Sequence, residues 1–257
     1  MVILALGDIL GIPGIKALRK HLGGIRKMYG ADLVIANGEN AAGVGIAPAD
    51  AGEIFAAGVD VITLGNHTWK DKDIGAYLDK NARIIRPANY APRCPGRGSA
   101  IINAGGKKIC VINLMGRHDL NAHLDNPFQA ADGSIEKNTG LADAFVVDFH
   151  AEATSEKLAM LFYLKGRVSV VFGTHTHIQT ADERIVDGTG YITDVGMTGP
   201  FDSVIGVMPE QPIEGFLGGL PGKFKTSPAP VRILGCLFTL DEGTMKCTGV
   251  ERVSIED

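Results

Sequence analysis

Five short apolar runs in this chain each end in polar side chains that can bind a metal ion. Each run has the length of a buried β-strand. Ligands of open α/β sheets gather at the carboxyl ends of the strands, so we expect the five ends to meet in one site. In chain order, the clusters are Gly7-Asp8, Asn37-Gly38-Glu39-Asn40, Gly65-Asn66-His67, Asp148-Phe149-His150 and Gly173-Thr174-His175-Thr176-His177.

Each cluster alone is a weak signal. A lone Asp after a strand is more often a helix cap or a turn residue, and Asn-Gly is a common turn. A histidine in a Gly-Asn-His turn, such as His67, more often makes a structural hydrogen bond than binds a metal. His175 and His177 form a stronger pattern, because in an extended chain both side chains point to the same side. The prediction rests on the coincidence of histidine, carboxylate and amide side chains at successive strand ends.

The ligand types indicate two catalytic metal ions rather than a structural zinc site. The candidate ligands are carboxylates, amides and imidazoles without cysteine, namely Asp8, Glu39, Asn40, Asn66, His150, His175 and His177. This mixture suits Mn, Fe, Zn, Ni or Co, and its size exceeds what one tetrahedral ion requires. Two ions roughly 3.5–4 Å apart can activate water and neutralise phosphoryl oxygens. The sequence therefore predicts a metal-dependent phosphoesterase.

The order of apolar runs predicts an α/β fold. Strands alternate with helices in the first half, where Pro13 to about Met28 has helical spacing, and a hairpin follows around Gly105-Gly106. Ser155 is predicted to cap a later helix. The segment Pro200–Pro230 is rich in Gly and Pro and is interpreted as a long surface excursion. Two sheets packed face to face with helices outside would suit this pattern, and residues 1–257 are interpreted as a single domain.

Composition indicates a globular protein without a membrane partner. Hydrophobic residues make up 45% and charged residues 21% of 257 residues, with a net charge of −4. This charge argues against strong non-specific binding to RNA or to an anionic membrane. No apolar run approaches the roughly 18 residues of a membrane span, and Val2–Leu6 is interpreted as a strand rather than a signal peptide. The four cysteines form no C-x-x-C pair. We therefore predict a cytoplasmic location.

Taken in order, the motifs resemble the calcineurin-like metallophosphoesterase superfamily. More closely, the chain resembles the bacterial YmdB-like phosphodiesterases. The resemblance covers most of the chain and is less distinctive after Gly199. The matching segments are GDILGIPG at 7–14, VIANGENAAGVGI at 34–46, VITLGNHTW at 61–69, RPANY at 86–90, VINLMGR at 111–117, VDFHAEATSEK at 147–157, GTHTHIQTADERI at 173–185 and YITDVGMTGP at 191–200.

The resemblance implies a four-layer αββα sandwich with two facing mixed β-sheets. It also implies a binuclear metal centre, often of iron in this family, with Mn, Zn, Ni or Mg as alternatives. Carried over onto this chain, the ligands divide into a bridging Glu39, a first set of Asp8, Asn40 and His177, and a second set of Asn66, His150 and His175.

The implied activity is hydrolysis of 2′,3′-cyclic nucleotides and related phosphodiesters. A metal-bridging hydroxide would attack phosphorus, and His67, which matches the family's catalytic histidine, would protonate the leaving oxygen. The wider superfamily has a histidine where this chain has Leu10, as is usual in the YmdB-like group, and Asn40 would compensate. Asp148 either supports His150 from behind or forms a buried ion pair.

Among its departures from the common family pattern, the chain differs at two single positions. Ile15 follows Pro13-Gly14, where the family commonly has Arg. Lys70 follows Asn-His-Thr-Trp, where the family commonly has an acidic residue. Neither position is a candidate ligand, so both are interpreted as changes at the rim of the site that bear on substrate preference.

Two other functions stay open at this point. A phosphomonoesterase or 5′-nucleotidase would use the same two-metal chemistry. A regulatory protein could bind a nucleotide or a metal without turnover, although the intact ligand set argues against this. The expected partner is a small phosphodiester such as a cyclic nucleotide. RNA ends and a homo-oligomer are compatible with the sequence, but no motif supports either one.

Overall fold

A computed structural model describes residues 1–120, 123–220, 222 and 224–257. Residues 221 and 223 of the predicted surface excursion therefore lie outside the described part. The helices are α1 Gly11–Tyr29, α2 Pro48–Ala57, α3 Ile74–Lys80, α4 Pro127–Asn138, α5 Thr154–Leu164 and α6 Glu210–Phe216. The strands are β1 Val2–Leu6, β2 Asp8–Ile9, β3 Leu33–Asn37, β4 Val61–Thr63, β5 Ile84–Ile85, β6 Ser99–Ala104, β7 Lys107–Met115, β8 Ala144–His150, β9 Val170–Thr174, β10 Arg184–Val186, β11 Thr189–Ile192, β12 Met197–Pro200, β13 Val231–Leu240 and β14 Cys247–Glu256.

These strands form two mixed sheets. The first has the order β2-β12-β13-β1-β3-β4-β5, with β14 beside β13. In it β1, β3, β4 and β5 run parallel, whereas β13 is antiparallel to β1. The second sheet has the order β10-β11-β9-β8-β7-β6. In it β7, β8 and β9 run parallel, and β6 and β7 form the predicted antiparallel hairpin.

Three hydrophobic clusters separate four layers. One cluster, which includes Leu18, lies between α1–α3 and the first sheet. The central cluster lies between the two sheets, where the rings of Phe172 and Phe238 are 6.4 Å apart. The third, which includes Leu161, lies between the second sheet and α4 and α5. The predicted four-layer αββα sandwich is confirmed. No helix in the described ranges combines the length and apolar character needed to cross a membrane.

Local sequence signals place several helix ends. The α1 helix ends before Gly30, whose φ of 61° lies in the left-handed region that glycine adopts most easily. The α2 helix begins at Pro48, because the first helical position needs no backbone N–H. The predicted cap at Ser155 is wrong. The α5 helix begins at Thr154 after Ala153, so Ser155 lies within its first turn.

Two helices are not predicted by the apolar pattern. The α4 helix begins after Asn126, whose side chain accepts hydrogen bonds from the backbone N–H groups of Phe128 and Gln129. The α6 helix buries none of its residues, so no apolar periodicity marks it. It gives the surface segment Pro200–Pro230 a short helical part.

Parallel strands bring the polar clusters together. The strands β1, β3 and β4 end at one edge of the first sheet, and β8 and β9 end at one edge of the second. The two edges meet where Nδ2 of Asn37 lies 3.3 Å from Nδ1 of His150. The predicted meeting of the five strand ends is therefore confirmed, and it joins residues from both sheets.

Candidate metal centre

Three potential ligand atoms surround a fourth, Nε2 of His150. This nitrogen lies 2.8 Å from Oδ1 of Asn66, 3.1 Å from Nδ1 of His175 and 3.2 Å from Oε1 of Glu39. The ligand atoms of Glu39, His150 and His175 all lie within 4.8 Å of one another. The structure thus brings together the set that the resemblance implies for one ion, including the proposed bridge.

The other predicted ligands form a second group beside the first. Nε2 of His177 lies 3.2 Å from Nδ2 of Asn40 and 3.7 Å from Oδ1 of Asp8. Asp8 is fully buried, and its Oδ1 has no hydrogen-bond partner among the described residues. Asn40 turns its amide oxygen toward His67 instead. Metal binding through that oxygen would require the amide to rotate. Among the predicted ligands, Asn40 therefore has the side-chain orientation least suited to binding a metal ion.

A bent backbone carries His175 and His177 into the site. The β9 strand ends at Thr174, and φ is 101° at His175 and 64° at His177. The His-x-His segment is therefore not extended, although both side chains face the site. Non-glycine residues in this region cost about 1–3 kcal/mol each and cluster at functional sites. Surrounding contacts must hold this bend in place.

Glu39 and His175 have the protonation states that metal ligands need. Burial raises the pKa of Glu39, but the charges and hydrogen bonds of His150 and His67 outweigh it and lower this pKa to about 2. Burial, aided by the nearby charge of His150, lowers the pKa of His175 to about 3. At neutral pH the carboxylate is therefore ionised and the imidazole neutral, which are the forms that bind metal.

Negative charge surrounds His150. Burial lowers the pKa of this imidazole, but the carboxylates of Glu39, Asp8 and Asp148 raise it to about 9. Burial also raises the pKa of Asp8, because a buried carboxylate is unfavourable without a compensating cation. The site therefore favours positive charge where its ligand atoms converge, as either a proton or a metal ion.

Thr174 and Asp148 orient His150. Oγ1 of Thr174 donates a hydrogen bond to Oδ1 of Asp148 at 2.7 Å and lies 3.0 Å from Nδ1 of His150. Because the hydroxyl hydrogen is directed at the carboxylate, the hydroxyl oxygen accepts from Nδ1–H, and Nε2 faces the other ligands. Asp148 also accepts a hydrogen bond from Thr63, and burial raises its pKa to about 7. Asp148 thus supports His150 through Thr174.

Glu152 orients His175 in a similar way, and the sequence reasoning missed it. Oε2 of Glu152 lies 2.9 Å from Nε2 of His175, so Nδ1 of that ring faces the convergent ligands. A metal-bound histidine usually donates its other N–H to such a carboxylate. The available signal was an acidic residue two positions after His150.

A buried ion pair holds the bent segment from behind. Nζ of Lys157 donates to Oδ2 of Asp194 at 2.8 Å, and both side chains are almost fully buried. The same oxygen accepts from the backbone N–H of Thr176 at 3.1 Å and from its hydroxyl at 2.7 Å. Thr176 lies between the two histidines, so this pair fixes the segment that presents them. The sequence reasoning assigned neither residue a role.

His67 lies beside the two ligand groups and is half-buried. Its backbone N–H donates to Oε2 of Glu39 at 2.9 Å. Its Nδ1 lies 2.8 Å from Oδ1 of Asn40, and since an amide oxygen can only accept, Nδ1 is the donor. Nε2 is then the nitrogen that would serve a substrate, consistent with a position on the wall of the neighbouring cavity.

The donor set fits metal ions. Carboxylate, amide and imidazole atoms converge in two adjoining groups, and Glu39 touches both. The buried Oδ1 of Asp8 lacks a hydrogen-bond donor among the described residues, and a cation would satisfy it. The residues of this chain are thus suited to hold ions, and their chemistry does not single out one metal.

Comparison with known proteins establishes the family. The family model described as YmdB-like protein matches residues 4–253. The chain belongs to the YmdB-like family. A relative from Bacillus subtilis (strain 168), named 2′,3′-cyclic-nucleotide 2′-phosphodiesterase, is 42% identical over 259 residues. That similarity spans 100% of this chain and 98% of the relative.

Solved structures agree with this membership of the YmdB-like family. A hypothetical protein from Thermus thermophilus has a TM-score of 0.92 and 40% identity, with 100% of each chain covered. A novel phosphatase from Mycoplasma pneumoniae has a TM-score of 0.93 and 37% identity, with 100% of this chain and 93% of that chain covered. A 5′-nucleotidase precursor from Thermus thermophilus shares the fold, with 16% identity and a TM-score of 0.60. The match covers 100% of this chain and 54% of that chain.

The positions that depart from the family pattern have different surroundings. Ile15 is buried in the outer core, so the interpretation of this position as part of the site rim is wrong. Lys70 is exposed. Burial lowers the pKa of His67, and the positive charge of Lys70 lowers it further. Leu10, which stands where the wider superfamily has histidine, is buried against the same cavity as His67.

Substitution of Gly65 is expected to damage the metal centre. A methyl group there would overlap the imidazole of His150 and the carboxylate of Glu39. We predict that Gly65→Ala lowers metal affinity at least as much as loss of a supporting contact does, about tenfold or more.

Gly24→Ala is the control, because α1 offers open space there. It should keep its metal and gain about 0.5–1 kcal/mol of stability. Metal titration and urea unfolding measure both effects, and an unchanged metal affinity in Gly65→Ala would contradict this geometry.

Removal of Lys157 is expected to release the His-x-His segment. Lys157→Ala leaves Asp194 buried without its cation, which costs about 3–5 kcal/mol in the free energy of unfolding. Lys165→Ala is the matched control, because Lys165 pairs with Asp187 at 3.0 Å on the surface. Its loss should cost no more than about 1 kcal/mol. Chemical unfolding and metal titration compare the variants. Equal stability and equal metal affinity would show that the buried pair does not hold the segment.

Proposed function

We propose that this chain is a di-metal phosphodiesterase that opens 2′,3′-cyclic nucleotides. The observation that supports this proposal most directly is that two groups of ligand atoms meet at Glu39. His67 lies beside them on the wall of one cavity. The name of the Bacillus subtilis relative supports this substrate class, since the similarity spans both chains.

The metal ligands of this proposal follow from the two groups. Glu39 would contact both ions, and each group would complete one of them, with Asp8, Asn40 and His177 for one and Asn66, His150 and His175 for the other. When bound, the ions would neutralise the phosphoryl oxygens and lower the pKa of the attacking water so that a hydroxide serves as nucleophile. Iron is the metal we expect from the family resemblance, with Mn, Zn, Ni or Mg as alternatives.

His67 would act as the proton donor to the leaving oxygen. Its Nδ1–H is held by Asn40, which directs Nε2 to the substrate. Burial lowers the pKa of His67, although the charge of Glu39 opposes this. An anionic phosphodiester bound beside the ring would favour its protonated form. If the bond from phosphorus to the 2′ oxygen breaks, that oxygen takes the proton and the product is a nucleoside 3′-monophosphate.

A substrate panel tests this proposal against its rivals. Metal-loaded protein is assayed with 2′,3′-cyclic AMP, bis-p-nitrophenyl phosphate, p-nitrophenyl phosphate and AMP. The proposal expects both diesters to be hydrolysed faster than either monoester. Faster release of phosphate from the monoesters would indicate a phosphomonoesterase or 5′-nucleotidase. Binding of 2′,3′-cyclic AMP without turnover would indicate a non-catalytic regulator.

The role of His67 predicts a dependence on the leaving group. His67→Gln keeps a hydrogen-bonding side chain but cannot deliver a proton in the same way. We predict a loss of about 10²–10⁴-fold in kcat for 2′,3′-cyclic AMP, whose alkoxide leaving group needs the proton. Hydrolysis of bis-p-nitrophenyl phosphate should fall much less, because p-nitrophenolate leaves without protonation.

Metal content separates this role from a structural one. His67→Gln should retain as much metal as the wild-type protein. Equal losses on both substrates together with lost metal would show that His67 mainly maintains the site. Full turnover of 2′,3′-cyclic AMP would exclude the proton-donor role.

A further inference from the structure

A cavity of about 690 Å³ opens directly beside the two ligand groups. This volume lies within the roughly 300–1,000 Å³ typical of small-molecule sites. Its polar end includes Glu39, His67, His175 and His177. The rest of the lining is mainly apolar, and we call it the apolar end; it includes Leu10, Val44, Val207, Pro212, Phe216 and Phe224.

The polar and apolar parts of this lining suit a ligand that has one polar part and one apolar part. The polar end offers metal ligands and His67, which suit a phosphoryl group. The apolar end offers two aromatic rings, Phe216 and Phe224, that are 89% and 55% exposed. Large exposed aromatic side chains beside a concave site are typical of ligand-binding surfaces. A ligand with a phosphoryl group at one end and a flat, weakly polar ring at the other matches this division.

The apolar end is tied structurally to the metal centre. The carbonyl oxygen of Ile205 accepts a hydrogen bond from Nδ1 of His177 at 3.0 Å, which leaves Nε2 of that ring toward Asp8. Gly206 then packs so closely on Leu10 that a side chain there would overlap it. The distance between the apolar lining and the ligand atoms is therefore set by direct contacts.

We infer that the apolar end of this cavity binds the nucleobase of the substrate, with Phe216 and Phe224 as stacking residues. This inference rests on the proposed function and adds the recognition of the base to it. Stacking on aromatic rings tolerates any base, because every base has a π-face. The apolar lining therefore predicts similar use of all four nucleoside 2′,3′-cyclic phosphates, with purines moderately favoured for their larger area.

The experiment compares two cyclic diesters that differ in the base. Glycerol 1,2-cyclic phosphate has the same five-membered diester ring as 2′,3′-cyclic AMP but carries no base. Phe216→Ala and Phe224→Ala should each lower the preference for 2′,3′-cyclic AMP over glycerol 1,2-cyclic phosphate about tenfold, mainly through KM. Leu217→Ala is the control, because Leu217 neighbours Phe216 on the exposed face but lies outside the lining. Its preference should match that of the wild-type protein.

Two results would overturn the inference. One is an unchanged preference in both phenylalanine variants. The other is a change in oligomeric state without a change in preference, measured by light scattering. That result would make this apolar face a contact between copies of the chain.

Binding of adenosine 3′-monophosphate tests the cavity even if no diester is turned over. It should weaken about tenfold in Phe216→Ala relative to wild type, while binding of inorganic phosphate stays equal. Wild-type inactivity with intact base binding would thus defeat the proposed function alone.

Discussion

Burial of negative charge between two sheets is the constraint on which this site depends. Asp8 and Glu39 are fully buried, and ionised carboxylates are unfavourable away from water unless cations compensate them. The neighbouring imidazoles offset part of this cost, and the same charges raise the pKa of His150 to about 9. Oδ1 of Asp8 still lacks a hydrogen-bond donor among the described residues. A bound cation would resolve this imbalance, which is why we interpret the cluster as a metal centre.

The surrounding layer of contacts makes this arrangement rigid. Asp148 directs His150 through Thr174, and Glu152 directs His175. The buried pair of Lys157 and Asp194 holds the backbone of the bent His-x-His segment. Each histidine contact fixes one ring nitrogen and turns the other toward the ligand group, as metal sites generally require. The cost of the strained backbone is therefore offset by contacts outside the ligand set itself.

Sequence reasoning reached the strand ends and ligand candidates but not their supports. Asp8 and His150 follow apolar runs, and parallel strands must end at a common edge, so local patterns sufficed to place them together. Lys157 and Asp194 meet only through tertiary packing, and nothing local marks a buried lysine as paired. Phe216 lies on a helix that buries no residue, so periodicity could not reveal the cavity wall. The metal roles and the single-domain interpretation stay predictions.

A metal titration of the purified protein, followed by both metal counting and turnover of 2′,3′-cyclic AMP, tests the two-metal site. Turnover should require two ions per chain and should be lost on chelation. Asp8→Asn should bind one ion at most under the same conditions and turn over poorly, while Glu39→Gln should weaken both sites. Full turnover by protein stripped of metal, or a protein loaded with two ions that is inert on every phosphodiester, would show that this cluster is not a two-metal phosphodiesterase centre.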